Sequence, residues 1–301
     1  MIGSSWLRRM AIGAAWAIAA MAAPAFASCS LEAGTTQRVA IGDTGRSMLI
    51  HVPQGVSPRA PLVFLLHGST ATGAAMLADS HLAQTSDAHG FILAAPDAGI
   101  PAGNGFVWNI PGVPTVTGDI PTENDPDDVA YLTDAIDFLA AQGCVDDSRV
   151  YATGLSGGGR MTSWLGCVAS DRFAAIAPVV GLRSGNPLAS DPQRPDPATC
   201  TPDHPMPVFA FAGDRDNTNP PQGGGAGYWQ YSMLTALGRW AELNGCTHPL
   251  AYLPEGDVSV DYYYDGCRDD ATVIGRMVKG RGHEWVADNE AMWAFFARFA
   301  R

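Results

Sequence analysis

Residues 150–161 read VYATGLSGGGRM and place one serine, Ser156, among glycines. These glycines are Gly154, Gly157, Gly158 and Gly159. An apolar run precedes the serine, and helix-compatible residues 159–169 follow it. A strand, G-x-S-x-G and a helix form the pattern of a nucleophile elbow, in which a strained turn raises the serine hydroxyl and only glycines fit beside it. The pattern predicts Ser156 as a nucleophile; the alternative is a flexible turn without chemistry.

Continuous apolar runs at residues 61–66, 91–96 and 149–153 favour strands buried on both faces, as in a parallel sheet. Residues 127–143 have helical spacing, with acids first and a glycine last. Further predicted elements are strands at 173–181, 207–213 and 271–278, helices at 231–245 and 288–300, and an edge hairpin around 43–45. Strands that alternate with helices indicate an α/β fold: a mostly parallel central sheet flanked by helices, in one domain spanning 28–301.

Three stretches lack any periodicity: residues 97–126, 182–206 and 214–227. Long loops of this kind in a compact domain are usually functional or disordered. In an open α/β sheet, ligands bind beyond the carboxyl ends of the strands. We therefore expect the three loops to cluster there.

The N-terminus has the pattern of an export signal. Arg8 and Arg9 precede an apolar segment that ends in small residues, which predicts a signal peptide over residues 1–27, cleaved after Ala27. The expected location is outside the cytoplasm, extracellular or periplasmic. An uncleaved anchor and a lipoprotein signal ending at Cys29 are the alternatives.

The charge balance is acidic, with a net charge of −12. Removal of residues 1–27 takes away two arginines and no acids, so 16 basic groups face 30 acidic ones, a balance of −14. Such a chain is a poor partner for nucleic acid or anionic membranes, and neutral polymers or uncharged esters suit it better. No second stretch is long and apolar enough to span a bilayer, and the sequence is silent on oligomeric state.

All six cysteines follow the predicted cleavage point, and an even number in an exported chain predicts three disulfides. Sequence alone cannot choose among the possible pairings. Our working assignment pairs neighbours and tethers the N-terminus: Cys29–Cys144, Cys167–Cys200 and Cys246–Cys267. The absence of any C-x-x-C pair argues against a cysteine zinc or redox site.

A serine nucleophile needs a histidine base, which in this type of sheet follows it in the chain. Three histidines qualify by order, His204, His248 and His283. Only His283 lies in a glycine loop directly after the last predicted strand, so we predict it as the base. Asp214 and Asp216 follow the strand at 207–213, and position alone does not choose between them as the orienting acid.

An oxyanion hole needs two N–H donors. Gly157, directly after the serine, is predicted to supply one. Ser69, in the HGST segment after the strand at 61–66, is predicted to supply the other. His67 precedes Ser156 in the chain, so we expect it to brace this loop rather than act as the base.

The segments LLHGST, VWN, DDVAYL, DSRVYATGLSGGGRMT, FAAIAPVVG, AGDRD, RWAELNGC and GRGHEW occur in order along residues 36–300. The chain thereby resembles secreted α/β-hydrolases of the polyhydroxybutyrate depolymerase and feruloyl esterase type. The resemblance implies a serine esterase that works through an acyl-enzyme, without metal or organic cofactor. It aligns Asp216 with the family's acid. The family usually reads H-G-T-x-D here, so Ala212 and Asp214 depart from its pattern.

The resemblance also extends to the residues expected around the substrate. Trp108 and Asn109 match the family's WN pair, and Trp285 follows the histidine as in the family, whereas Val286 departs from its usual proline. We expect Trp108 to stack on a phenolic or sugar ring; the alternative is a tryptophan that closes a hydrophobic cluster. The acid run at 125–128 is better explained by helix N-capping than by calcium.

The substrate is the open question. Polyester depolymerases of this type usually carry a polymer-binding module, and none follows the last predicted helix. We therefore expect feruloyl or acetyl esters of plant polysaccharide, with polyhydroxyalkanoate or another polyester as the alternative. A peptidase or a silent binding protein of the same fold is less favoured.

Overall fold

The computed structural model describes Met1 and residues 29–301, and the predicted signal peptide lies outside these residues. The strands are β1 Thr35–Ala40, β2 Ser47–Val52, β3 Ala60–Leu66, β4 Ile92–Pro96, β5 Ile100–Ala102, β6 Gly105–Val107, β7 Val145–Leu155, β8 Ala175–Val179, β9 Pro187–Leu188, β10 Asp191–Pro195, β11 Val208–Gly213, β12 Ala251–Glu255, β13 Ser259–Tyr264 and β14 Val273–Val278. The helices are α1 Gly73–Ser80, α2 Leu82–His89, α3 Asp128–Ala141, α4 Gly157–Val168, α5 Met233–Leu243 and α6 Asn289–Phe296.

Ten strands of the described chain form one sheet in the order β1-β2-β4-β3-β7-β8-β11-β14-β13-β12. The six central strands, from β4 to β14, run parallel. An antiparallel pair borders them on each side, β1 with β2 and β12 with β13. The predicted fold class, a single α/β-hydrolase-type domain with a mostly parallel sheet, is confirmed.

Helices cover both faces of the sheet, which is why the central strands are apolar without alternation. Leu62, Phe64 and Leu66 of β3 point to a core shared with α3, α4 and α5, where Trp240 is fully buried. The intervening residues of β3 point to a second core shared with α1, α2 and α6, which includes Phe295. The central strands are therefore fixed from both sides, and their carboxyl ends form a rigid base for the loops.

Several elements were not predicted from the sequence. Helices α1 and α2 have only eight residues each and carry few large apolar side chains. The hairpin β12–β13 lies at the sheet edge, where Tyr252 and Leu253 are 69% and 51% exposed. An edge strand packs little against the core, so burial leaves only a weak pattern in its sequence. Two short hairpins, β5–β6 and β9–β10, lie inside stretches that were expected to be irregular.

The three disulfides are Cys29–Cys144, Cys167–Cys200 and Cys246–Cys267, as predicted. The first bond uses the sulfur of Cys29, so that thiol is not free to carry a lipid, which argues against the lipoprotein alternative. Within residues 29–301, no helix has the length and apolar character needed to cross a bilayer.

Candidate active site

Ser156 stands at the junction of β7 and α4 in a strained backbone conformation, with φ 55° and ψ −109°. Its amide donates to the Val179 carbonyl at 2.9 Å, which fixes the turn against β8. A Cβ at Gly154 would lie 2.7 Å from the Leu66 carbonyl oxygen, and one at Gly158 2.6 Å from that of His67. The glycines therefore allow the turn to pack directly on the end of β3. The geometry is that of the predicted nucleophile elbow.

The structure brings Ser156, His283 and Asp216 into one line of hydrogen bonds. The Nδ1–H of His283 donates to Asp216 Oδ2 at 2.8 Å. An ionised carboxylate can only accept, so this bond leaves Nε2 as the acceptor for the Ser156 hydroxyl, also at 2.8 Å. The side chain of Asp216 is 1% exposed and that of His283 24%. The buried acid is shielded from water, while the imidazole reaches the surface of the site.

Two further backbone donors orient Asp216. Its Oδ1 accepts from the amides of Thr218 and Asn219, both at 2.8 Å. Asn219 is buried and donates through Nδ2 to the Val180 carbonyl at 2.7 Å. The carboxylate therefore accepts three hydrogen bonds, which fix its position against the imidazole.

Asp214 lies on the same loop as Asp216 but makes different contacts. Its Oδ1 accepts from the Gly280 amide at 2.6 Å, and the Arg215 amide donates to the Arg281 carbonyl at 2.9 Å. These contacts join the loop after β11 to the loop after β14. Asp214 therefore holds together the loops that carry Asp216 and His283, and only Asp216 contacts the imidazole.

Ser69 and Gly157 meet beside the serine, as the oxyanion-hole prediction requires. A Cβ at Gly157 would lie 2.9 Å from the Ser69 nitrogen, so the two backbones touch. Within the described residues, the Ser69 and Gly157 amides have no hydrogen-bond acceptor. Two unpaired N–H groups next to a serine hydroxyl form a site for a developing negative charge.

His67 braces this loop, as expected. It is fully buried, its Nδ1–H donates to the Gly68 carbonyl at 2.8 Å, and its Nε2 accepts from the Ala98 amide at 2.9 Å. Burial lowers the pKa of His67 below its ordinary 6.5, despite the opposing effects of the Gly68 bond and the charge of Asp97. The bond from Ala98 requires an unprotonated Nε2 and therefore the neutral ring, and in this form His67 serves as a fixed link between the loops after β3 and β4.

Trp108 and Asn109 are both held by structural contacts, and Trp108 is not placed for the stacking expected of it. Trp108 is 4% exposed, lies against the His67 ring at 4.9 Å, and donates through Nε1 to the His67 carbonyl at 2.8 Å. Asn109 is 9% exposed and donates through Nδ2 to the Pro126 carbonyl at 3.1 Å. The tryptophan closes a hydrophobic cluster under the loop and also lines a narrow cavity beside Ser69.

The acid run at 125–128 is used for structure. Asp127 caps α3 by accepting from the Ala130 amide at 3.0 Å. Asp128 is fully buried, pairs with Arg46 at 2.8 Å and accepts from the Asn109 amide. Burial raises its pKa in spite of these partners. Among residues 29–301 there is no cluster of three histidine, cysteine or acidic side chains able to hold a metal ion.

Trp285 is partly buried near the end of the site. Its Nε1 donates to Asn289 Oδ1 at 2.9 Å, and its ring packs against the core beneath α6. It anchors the loop that carries His283 to the last helix. Its expected contact with substrate remains a prediction.

Arg160 and Arg183 border the site and were not singled out from the sequence. Arg160 lies one helical turn after Ser156, and its Nη2 donates to Ser69 Oγ at 3.2 Å. Both arginines are only 6% exposed. The position of Arg160 at Ser156 plus four was the one available signal, because residues four apart share a helix face.

The three loops without periodicity meet above this site, as expected. Asn186 of the second loop donates to the Pro111 carbonyl of the first at 3.2 Å, and the third loop carries Asp216, which bonds His283. A cavity between the loops is lined by Ile110, Val113 and Arg183, among others. The site therefore lies at the carboxyl ends of the parallel strands.

A model of the prolyl oligopeptidase family matches residues 78–186, which include Ser156. Feruloyl esterase B from Piromyces equi is 29% identical over 264 residues, 85% of this chain and 45% of that protein. Poly(3-hydroxyalkanoate) depolymerase C from Paucimonas lemoignei is 35% identical over 136 residues, 44% of this chain and 31% of that protein. The chain thus spans less than half the length of either relative.

Solved structures support the fold assignment. The acetyl xylan esterase from Aspergillus awamori superimposes with a TM-score of 0.62 at 19% identity, covering 88% of this chain and 99% of that one. At this identity the likeness establishes a common fold.

Proposed function

Because this chain has the α/β-hydrolase fold and relatives named as feruloyl esterase, acetylxylan esterase and polyhydroxyalkanoate depolymerase, we propose that it is a serine esterase. The observation that carries the proposal is the line Ser156–His283–Asp216, with both contacts at 2.8 Å. Two unpaired amides beside the serine supply the other requirement of acyl transfer.

In the proposed first step, His283 Nε2 takes the proton of Ser156 as Oγ attacks the ester carbonyl carbon. The carbonyl oxygen becomes negative and accepts hydrogen bonds from the Ser69 and Gly157 amides. Asp216 holds the ring in the required tautomer and stabilises the imidazolium that forms. The imidazolium then gives its proton to the leaving alkoxide, which departs as an alcohol, and Ser156 is left acylated.

In the second step, His283 takes a proton from water, and the resulting hydroxide attacks the acyl carbon in the same oxyanion hole. Collapse of the intermediate returns the proton to Ser156 and releases a carboxylic acid. The side chain of His283 is 24% exposed, so water can reach Nε2 after the alcohol leaves.

We propose acetyl or feruloyl esters of plant polysaccharide as the substrate class. The cavity beside Ser69 and Gly157 is narrow and lined by Val107, Ile110 and Val113, which suits a short acyl group such as acetyl. A polyester substrate is the second candidate, because the polyhydroxyalkanoate depolymerase relative is 35% identical over its matched region.

The catalytic assignment is tested on 4-nitrophenyl acetate. We expect Ser156→Ala and Asp216→Asn each to lower kcat by about 10⁴-fold or more, since removal of one member disables the unit. Asp214→Asn is the matched control for the acid and should lose far less activity, because the Asp214 carboxylate contacts only backbone groups. Ser190→Ala, at an exposed serine, should match the unmodified protein. Undiminished turnover by Ser156→Ala would contradict the esterase proposal.

The substrate class is tested by incubating the protein with acetylated xylan, methyl ferulate and a polyhydroxybutyrate suspension. Release of acetate or ferulate with Ser156→Ala inactive is the expected result. Hydroxybutyrate as the sole product would instead favour the polyester alternative.

We also propose that residues 1–27 are removed during export. The three disulfides support this, because such bonds form and persist in oxidising compartments. Intact mass measurement of the protein from the medium or periplasm should give a chain that begins at Ser28. A full-length chain retained in the cytoplasm would contradict the proposal.

A further inference from the structure

Two buried arginines beside the oxyanion hole have no carboxylate partner among the described residues 29–301. Arg160 and Arg183 are each 6% exposed. Among residues 29–301, Arg160 Nε and both terminal nitrogens of Arg183 have no hydrogen-bond acceptor. Neither side chain forms an ion pair with a described acid. In a chain with 30 acidic residues and 18 basic ones, two buried cations without a counter-ion require an explanation.

Aromatic rings hold the two guanidinium groups in place. Arg160 lies over the ring of Tyr228 at 3.9 Å, and Arg183 over that of Tyr231 at 4.4 Å. Trp229 lies 5.7 Å from Arg183. A ring face attracts a cation but does not accept the N–H groups in the guanidinium plane. The rings therefore fix the orientation of the arginines, and among residues 29–301 they leave Arg160 Nε and both terminal nitrogens of Arg183 without an acceptor.

Burial makes the charged form of these arginines costly. It lowers the pKa of Arg160 to about 10 and also lowers the pKa of Arg183. The charge of Arg183 lowers the pKa of Arg160 further. An arginine side chain keeps its proton in proteins, and a buried charge without a partner is strongly unfavourable. An anion between them would remove this cost.

Arg160 and Arg183 line two small neighbouring spaces beside the oxyanion hole. Ser69, Gly157 and Arg160 line the first, and Arg160 and Arg183 line the second. Ile110 and Val113 line both. Arg160 also touches the oxyanion loop, through its bond to Ser69 Oγ at 3.2 Å. A group that enters this space stays close to an ester carbonyl held by Ser69 and Gly157, and the narrow space admits a carboxyl group more readily than a ring.

We propose that Arg160 and Arg183 form a subsite for a free carboxylate carried by the ester substrate. This inference rests on the proposed esterase function and predicts that, among the esters it hydrolyses, those with a carboxylate a few bonds from the ester group react best, with that carboxylate on the acid or the alcohol side. Arginine suits this task because its planar donors match the two oxygens of a carboxylate. The acidic remainder of the protein repels anions, so binding depends on this local pair.

The test compares kcat/KM for two matched pairs of esters. Monoethyl succinate against ethyl butyrate places the charge on the acid side. The acetate ester of 3-hydroxybutyrate against sec-butyl acetate places it on the alcohol side. A hydrogen-bonded charge contact predicts about a 10–100-fold preference for the charged ester in at least one pair. A preference for the neutral ester in both pairs would overturn the subsite.

Variants then assign the preference to the arginines. Arg183→Met and Arg160→Gln should each lower the charged-to-neutral ratio of kcat/KM about tenfold, and Arg183→Lys should keep part of it. Arg194→Met, at an exposed arginine, is the matched control and should keep the ratio of the unmodified protein. The ratio is informative even where a variant loses activity overall. An unchanged ratio in Arg183→Met and Arg160→Gln would refute the assignment.

A binding measurement separates this inference from the esterase proposal. Succinate should raise the Tm of the unmodified protein by a few degrees at saturating concentration, and less in Arg183→Met. If neither 4-nitrophenyl acetate nor any of the four esters is hydrolysed but this shift is present, the anion subsite stands and the esterase proposal fails. If the esters are hydrolysed without charge preference or shift, the esterase proposal stands and the subsite fails.

Discussion

His67 is a histidine near the reacting serine whose surroundings suit structure rather than proton transfer. Its two nitrogens bond the Gly68 carbonyl and the Ala98 amide, and the ring is fully buried. A second proton on Nε2 would face the Ala98 N–H and remove that bond. The loop that presents Ser69 is therefore held in place only while the ring is neutral.

This predicts a pH-dependent contribution to stability. The pKa of His67 in the folded protein lies below its ordinary 6.5. As the pH falls below about 6.5, the unfolded chain therefore binds a proton at this residue at a higher pH than the folded chain does. The free energy of unfolding should fall in this range, with a contribution from His67 of up to about 1.4 kcal/mol per pH unit.

Urea unfolding at several pH values between about 7 and 5 measures this slope. His67→Gln is less stable throughout, because it loses buried contacts, but its slope should be shallower. The other histidines contribute equally to both proteins, so the difference between the two slopes measures the contribution of His67. Parallel slopes in the two proteins would contradict the prediction.

The sequence identified some residues of the site and missed others. Ser156 and His283 were predicted from the motif and from chain order, and the structure brings them into contact. Asp216 needed a resemblance, because Asp214 precedes it on the same loop. Trp108 was expected in contact with a ligand, yet its indole bonds backbone. Arg183 was missed because the lack of a partner is a property of three-dimensional neighbours.

At the scale of elements, the elbow depends on close backbone contact between α4 and β3. A Cβ at Gly158 would overlap the Leu66 carbonyl and lie 2.6 Å from that of His67. Both obstacles are backbone atoms of a strand packed on two faces, so neither can move aside. The first turn of α4 and the end of β3 are effectively one unit.

We expect Gly158→Ala to lower the free energy of unfolding by about 2–4 kcal/mol, because it overpacks this contact. Gly55→Ala is the matched control: its Cβ would meet nothing within 4 Å, and a change within about 0.5 kcal/mol is expected. Urea denaturation of both variants measures the difference. Equal stabilities would mean that the elbow tolerates displacement from β3.

Elements were predictable from sequence where both faces are buried. The strands β3, β7 and β11 read as apolar runs, since helices cover the sheet on either side. The hairpin β12–β13 was missed, because its exposed edge leaves the choice of side chain weakly constrained. Helices α1 and α2 are too short for a clear period.

For the whole molecule, the disulfides close loops of very different length. Cys29–Cys144 spans 115 residues, and Cys246–Cys267 spans 21. The long link ties the first described residues to the start of β7 beneath the sheet. In the chain-entropy account, a longer closed loop removes more freedom from the unfolded chain.

Replacing both cysteines of the long loop by alanine should therefore cost about 5 kcal/mol, and replacing both of the short loop about 3 kcal/mol. Paired replacements avoid leaving an odd thiol. Denaturation of each double variant, with the other disulfides intact, gives the two values. A larger loss for the short loop would contradict the entropic ranking.

The distance along the chain between Ser156 and His283 has a consequence for biosynthesis. The two residues are 127 positions apart, and β14, which precedes the histidine, pairs with β11 in the interior of the sheet. When Ser156 leaves the ribosome, His283 has not yet been synthesised. On the proposed mechanism, the nascent polypeptide cannot hydrolyse esters until His283 has been translated and β14 has paired with β11.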